Sequence, residues 1–139
     1  MTNSWVCLDA SFVVQMIVAP ESENAAMVER WLSAGTTLAA PTLLFYEVTN
    51  ALYQYLRHGW LDVSSVELAQ LAALTMPISL FGSSELHLRA IHLATDFNLP
   101  ATYDGHYLAV AESLDADLWT ADKRLYRTME DRPIRVRIL

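Results

Sequence analysis

The 139-residue chain holds one cysteine, one lysine, four glycines and five prolines. A single cysteine permits no internal disulfide and no Cys-based zinc cluster, and it fits a reducing compartment. Cys7 lies inside an apolar run and reads as a small core residue. So little glycine and proline excludes collagen-like repeats and flexible linkers, and 53% hydrophobic against 18% charged residues excludes a disordered, charged chain. Long apolar runs are also missing. One long uncharged stretch, residues 31–46, contains Gly35, Thr36, Thr37 and Pro41, and it is shorter than the roughly 20 residues a membrane-spanning helix needs. Residues 1–20 have no basic segment and carry Asp9 within the apolar stretch, unlike a signal peptide. A compact, soluble, cytoplasmic protein of one domain over residues 1–139, with no membrane segment, is expected.

Positive charge is scarce and unevenly placed. The net charge is −7, which disfavours long-range attraction to nucleic acid. Residues 1–122 hold three basic and fourteen acidic side chains, a net −11, whereas residues 123–139 hold six basic and two acidic ones, a net +4. The cations are thus concentrated at one end of the sequence, beginning with Lys123, Arg124 and Arg127.

Short apolar runs at residues 5–8, 37–40, 78–81, 118–120 and 136–139 are too brief for helices and read as five strands. Between them, helical patterns occupy residues 11–18, 23–34, 43–58, 64–74, 85–97, 105–114 and 123–129, with Ser22, Asp62 or Ser64, and Ser84 as caps and Gly35 and Gly59 as stops. Strands separated by one or two helices need crossover connections. The expected class is therefore α/β, a three-layer α/β/α arrangement around a central parallel sheet of about five strands.

In such sheets ligands bind beyond the carboxyl ends of the strands. Asp9 closes the first strand, Glu47 falls in the first turns of the helix after the second, Asp104 opens a later helix, and Asp122 stands two residues beyond Thr120. Each has an ordinary reading, as a helix cap for Asp104 and Asp122 or as part of a polar stripe with Asn50 and Gln54 for Glu47. Asp9 resists that reading, because it follows a fully apolar strand where an isolated carboxylate is costly. Together the four would crowd like charges at one sheet edge and raise one another's pKa unless a cation intervenes. Carboxylates without His or Cys suit Mg²⁺ or Mn²⁺, whose remaining positions take water and phosphate oxygens.

The segments Leu8-Asp9-Ala10-Ser11, Pro41 to Leu52 around Glu47, Tyr103 to Glu112 behind Asp104, and Leu118 to Leu125 around Asp122 resemble the four acidic motifs of PIN-domain proteins, and in particular of the VapC-type toxins of bacterial toxin–antitoxin pairs. The likeness runs in order and spacing along nearly the whole chain. It implies a Mg²⁺- or Mn²⁺-dependent single-strand endoribonuclease, with Asp9 and Asp104 as direct metal ligands and Glu47 and Asp122 acting through water or a second ion. It also implies supporting roles for Ser11, Asn50 and Thr120, an antitoxin partner and a homodimer. The expected metal chemistry is Lewis-acid activation of the phosphate together with a bound hydroxide nucleophile. Gly105 stands where the family often has Ala, a choice that weakens a helix start.

Other candidates are weaker. His87 and His92 are five residues apart, not the four of a helical metal pair, and with His58 they read as structural. His106 lies two residues past Asp104, and Asp96, Asp115 and Asp117 read as helix ends and loop solvation. Lys123, Arg124 and Arg127, with Arg132, Arg135 and Arg137, are candidate phosphate contacts. A phosphorylation-receiver domain would need an acidic pair at the first strand, which holds only Asp9. A PIN-like interaction module without cleavage is the remaining alternative, and the four intact acids argue against it. The helix expected over residues 43–58 carries more apolar surface than one core-facing stripe requires, which points to a protein partner.

Overall fold

The computed structural model describes residues 4–139; residues 1–3, which open the stretch read above as unlike a signal peptide, lie outside the described residues. Five strands form one parallel sheet: β1 (Trp5–Leu8), β2 (Thr37–Pro41), β3 (Ile78–Phe81), β4 (Asp117–Thr120) and β5 (Val136–Ile138). Their order is β3-β2-β1-β4-β5. The apolar run of β1 occupies the centre, where Cys7 pairs with Ala39 on one side and Leu118 on the other. Val6, Cys7 and Leu8 are all buried, as a strand covered on both faces requires.

Seven helices connect the strands: α1 (Ala10–Val18), α2 (Glu23–Ser33), α3 (Leu44–Arg57), α4 (Val63–Leu74), α5 (Ser84–Asp96), α6 (Tyr103–Leu114) and α7 (Lys123–Thr128). One face is covered by α1, which packs against α2, α3 and α4; the other is covered by α6, which lies on β1, β2 and β4 with α5 behind it. The three-layer expectation holds. Ser22 and Asp62 cap α2 and α4 through Ala25 and Ser65, while Ser83 rather than Ser84 precedes α5. Gly59 ends α3 in the left-handed region at φ 71°, and the Trp60 N–H returns to the Tyr55 carbonyl at 3.0 Å.

Two readings need correction. Asp117 is the first residue of β4, not a loop residue, and it accepts from Arg135 Nε at 2.5 Å and Arg137 Nε at 3.2 Å. Gly105 is required rather than merely tolerated. A Cβ there would lie 2.6 Å from the Ala90 carbonyl oxygen, so glycine lets the first turn of α6 sit directly against α5. Among the described residues, no helix is long and apolar enough to cross a membrane.

Candidate active site

The chain leaves β1 for β2 on one side of the sheet and later enters β4 on the other side of β1. The carboxyl ends of β1 and β4 therefore flank the point where the strand order reverses, the place where open parallel sheets form a crevice. Asp9 stands at the end of β1 and caps α1, accepting from the Phe12 N–H at 3.0 Å. It is 4% exposed. Ser11 Oγ donates to its Oδ1 at 2.7 Å, and Thr120 Oγ1, at the end of β4, donates to its Oδ2. Two hydroxyls and a backbone amide thus stabilise the buried carboxylate.

Both hydroxyls are themselves held in place. Ser11 accepts from the Ala121 N–H at 2.9 Å and Thr120 from the Asp122 N–H at 3.0 Å. Ser11 and Thr120 therefore knit the start of α1 to the turn after β4. Asp122 caps α7, accepting from the N–H groups of Arg124 at 2.8 Å and Leu125 at 3.3 Å. The capping reading of Asp122 is correct, and its charge still acts on the neighbouring acids.

Burial raises the pKa of Asp9; the three hydrogen bonds oppose that rise and the Asp122 charge adds to it. Asp104, in the first turn of α6, is pushed up to about 6 by burial and by the charges of Asp9 and Asp122, with Arg124 pulling the other way. Glu47, in the first turn of α3, is half-buried and also raised, chiefly by burial, with Asp104 adding and Tyr107 and His106 opposing. The four acids thus form one electrostatic group, as their positions after strands suggested. Tyr107 was not anticipated. Its hydroxyl is buried beside Glu47, and burial with the Glu47 charge raises its pKa. The signal was available, since Tyr107 lies three residues past Asp104 on the same helix.

A cavity of about 740 Å³ has Glu47 in its wall, together with Ser11, Asn50, Tyr46, Tyr103 and Ala121. Lys123, Arg124 and Arg127 are exposed on α7, the helix that Asp122 caps. Arg135 and Arg137 are not free cations, because Asp115 and Asp117 hold Arg135 and Asp117 also holds Arg137. Arg132 lies over the Phe97 ring at 5.5 Å. His58 stacks on Trp60, whereas His87 meets His106 across α5 and α6, Nδ1 to Nε2 at 2.9 Å, a contact between distant segments that no local pattern signals.

Among the described residues, no three His, Cys, Asp or Glu side chains converge closely enough to enclose a metal ion. The donor set still fits a hydrated hard cation, which takes one or two carboxylates and keeps several waters. A second charge would also relieve the repulsion that lifts Asp104.

A parallel three-layer α/β sheet with carboxylates gathered at its switch point defines the class of protein. The PIN domain family model matches residues 6–130, and the chain belongs to the PIN-domain family. It is 32% identical over 120 residues to Ribonuclease VapC3 of Pyrobaculum aerophilum, a match that covers 85% of this chain and 89% of that protein. Two solved structures share the fold. VapBC2 of Rickettsia felis, bound to a DNA fragment from its promoter, superposes with a TM-score of 0.69 at 12% identity over 97% of this chain and 98% of that one. A toxin–antitoxin complex from Klebsiella pneumoniae gives 0.67 at 16% identity, covering 92% of each chain.

Proposed function

We propose that the chain, acting as one nuclease domain, is a Mg²⁺- or Mn²⁺-dependent endoribonuclease that cuts single-stranded RNA, and that it is the toxin of a toxin–antitoxin pair. The observation that carries this reading is the electrostatic group at the switch point, in which Asp122 raises Asp9, Asp9 and Asp122 raise Asp104, and Asp104 raises Glu47, four acids from four segments. The likeness to Ribonuclease VapC3 and to a toxin–antitoxin complex supports it.

Asp9 and Asp104 would hold the ion directly, and Glu47 and Asp122 through water or a second ion. A bound ion there would supply Lewis-acid polarisation of the scissile phosphate and a lowered pKa for its water. The chain's own residues supply the orientation. Ser11, Thr120 and the Phe12 amide fix the Asp9 carboxylate, so its position costs no reorganisation during the reaction. Glu47, with its raised pKa, is suited to take up a proton. Asn50, three residues on along α3 and in the wall of the same cavity, presents an amide to the substrate. Lys123, Arg124 and Arg127 would carry the flanking phosphates across the edge of an otherwise acidic surface.

Protein partners have a surface available. Val63, Leu68, Leu71 and Leu74 of α4 and Tyr53 of α3 are each more than half exposed, more apolar surface than an isolated helix pair needs. We assign this face to a second copy and to the antitoxin. Light scattering at micromolar concentration tests the dimer, and a monomer would contradict it. For the activity, purified protein is incubated with total RNA in Mg²⁺ or Mn²⁺, with and without chelator, and new 5′ ends are mapped. Chelator-sensitive ends support the reading, and none at all would overturn it.

A further inference from the structure

A second cavity, of about 260 Å³, adjoins the one that Glu47 lines and shares Leu43, Tyr46 and Tyr103 with it. Its remaining walls include Phe81, Leu86 and His87. We infer that it receives one nucleobase of the RNA strand, a purine in preference to a pyrimidine, next to the phosphate held at the acids; the inference rests on the ribonuclease reading for its choice of ligand.

Four observations carry it. The size is that of a fragment, below the roughly 300–1,000 Å³ of pockets for larger ligands. Tyr46 and Tyr103 stand in both cavities and are 78% and 56% exposed, which leaves two aromatic rings accessible for stacking. Bases of single-stranded RNA are read by stacking on aromatic side chains, and the larger purine face gains more from it. No Lys or Arg lines the small cavity, so it suits a neutral ring rather than a phosphate.

The histidine pair supplies the polar feature. The Thr102 carbonyl can only accept, so His106 Nδ1, 2.8 Å away, carries a hydrogen. In the tautomer that keeps this hydrogen on Nδ1 and a lone pair on Nε2, His106 accepts from His87 Nδ1–H at 2.9 Å. That leaves the lone pair of His87 on Nε2. An exocyclic amino group, as on adenine, is the matching donor.

The test uses the full chain, labelled with ¹⁵N and free of metal, titrated with adenosine and with uridine, which carry no phosphate. Adenosine should shift the amides of Tyr46, Leu86, His87 and Tyr103 and bind more tightly than uridine. Tyr103→Ala should weaken adenosine at least about fivefold, while Tyr103→Phe retains it. In a parallel arm, an RNA that the protein cuts is remade with one abasic residue at each position in turn. Cleavage should fall at one position beside the cut, and Tyr103→Ala should add no further loss there. If RNA is cut but nucleosides bind nowhere and the abasic scan is flat, the pocket falls and the ribonuclease stands. If adenosine binds in the pocket but no RNA is cut, the ribonuclease falls and the pocket stands. Shifts with a leucine-rich peptide and none with nucleosides would mean that the cavity takes a protein side chain, and would overturn the inference.

Discussion

Replacing Asp104 by Asn should make the metal-free protein more stable. Asp104 has its pKa raised from 3.8 to about 6, by burial first and then by Asp9 and Asp122. The folded protein therefore holds this proton more tightly than the unfolded chain does. Its contribution to stability falls as pH rises from about 4 through about 6 and stays low above that. At about 1.4 kcal/mol per pKa unit the full penalty would approach 3 kcal/mol, and because the side chain is partly exposed, solvent screening reduces it to about 1–2 kcal/mol. For a chain of this size that is a rise in Tm of about 3–8 °C. The assay is thermal unfolding followed by circular dichroism in EDTA, at pH 5 and pH 7.5, for the wild type and Asp104→Asn. The variant should gain most at pH 7.5 and roughly half as much at pH 5, which lies midway in that fall. Added Mg²⁺ should raise the wild-type Tm and leave the variant nearly unmoved. The reasoning is refuted if Asp104→Asn melts no higher than the wild type at pH 7.5 without metal.

Three further outcomes follow from the same geometry. Thr120→Val removes a hydroxyl donor from the buried Asp9 and an acceptor from the Asp122 amide, and should cost about 1.5–3 kcal/mol in urea unfolding; an unchanged midpoint would mean that the bond is dispensable. Gly105→Ala gains helix propensity but drives a methyl into the Ala90 carbonyl, and should lose about 1–3 kcal/mol net, with a stability equal to or above the wild type as the contrary result. Replacing Lys123, Arg124 and Arg127 together by Ala should weaken RNA binding similarly across sequences and flatten its logarithmic salt slope by up to about 2, with the cleavage sites unchanged. Full affinity, or new sites, would return these residues to ordinary surface.

The fold was largely legible because its strands are short, mainly apolar and regularly separated by helices, so type and order could be read from residues 5–8, 37–40 and 78–81 without knowledge of the packing. Element ends shifted by a residue or two, as at Pro41, which extends β2, and Ala34, which caps α2 rather than belonging to it. The four acids were legible for the same reason, each following a strand or opening a helix. What escaped was set by contacts across the fold. Gly105 looked like a weak helix residue until Ala90 of α5 lay against it. Asp117 looked like a loop residue until β5 brought Arg135 and Arg137 to its side. His87 and His106 are unremarkable in sequence and become a pair only because α5 and α6 pack closely.

The central claim, that the four acids form a metal-dependent ribonuclease site, is tested most directly by mapping 5′ ends after incubating RNA with the wild type and with Asp9→Asn. Asn keeps the shape of Asp9 and removes its charge, and the variant's fold is checked by circular dichroism in the same preparation. Discrete new ends with the wild type in Mg²⁺ or Mn²⁺, absent in chelator and absent with Asp9→Asn, are the predicted result. Wild-type-like cleavage by folded Asp9→Asn, or cleavage that persists in chelator, would contradict it.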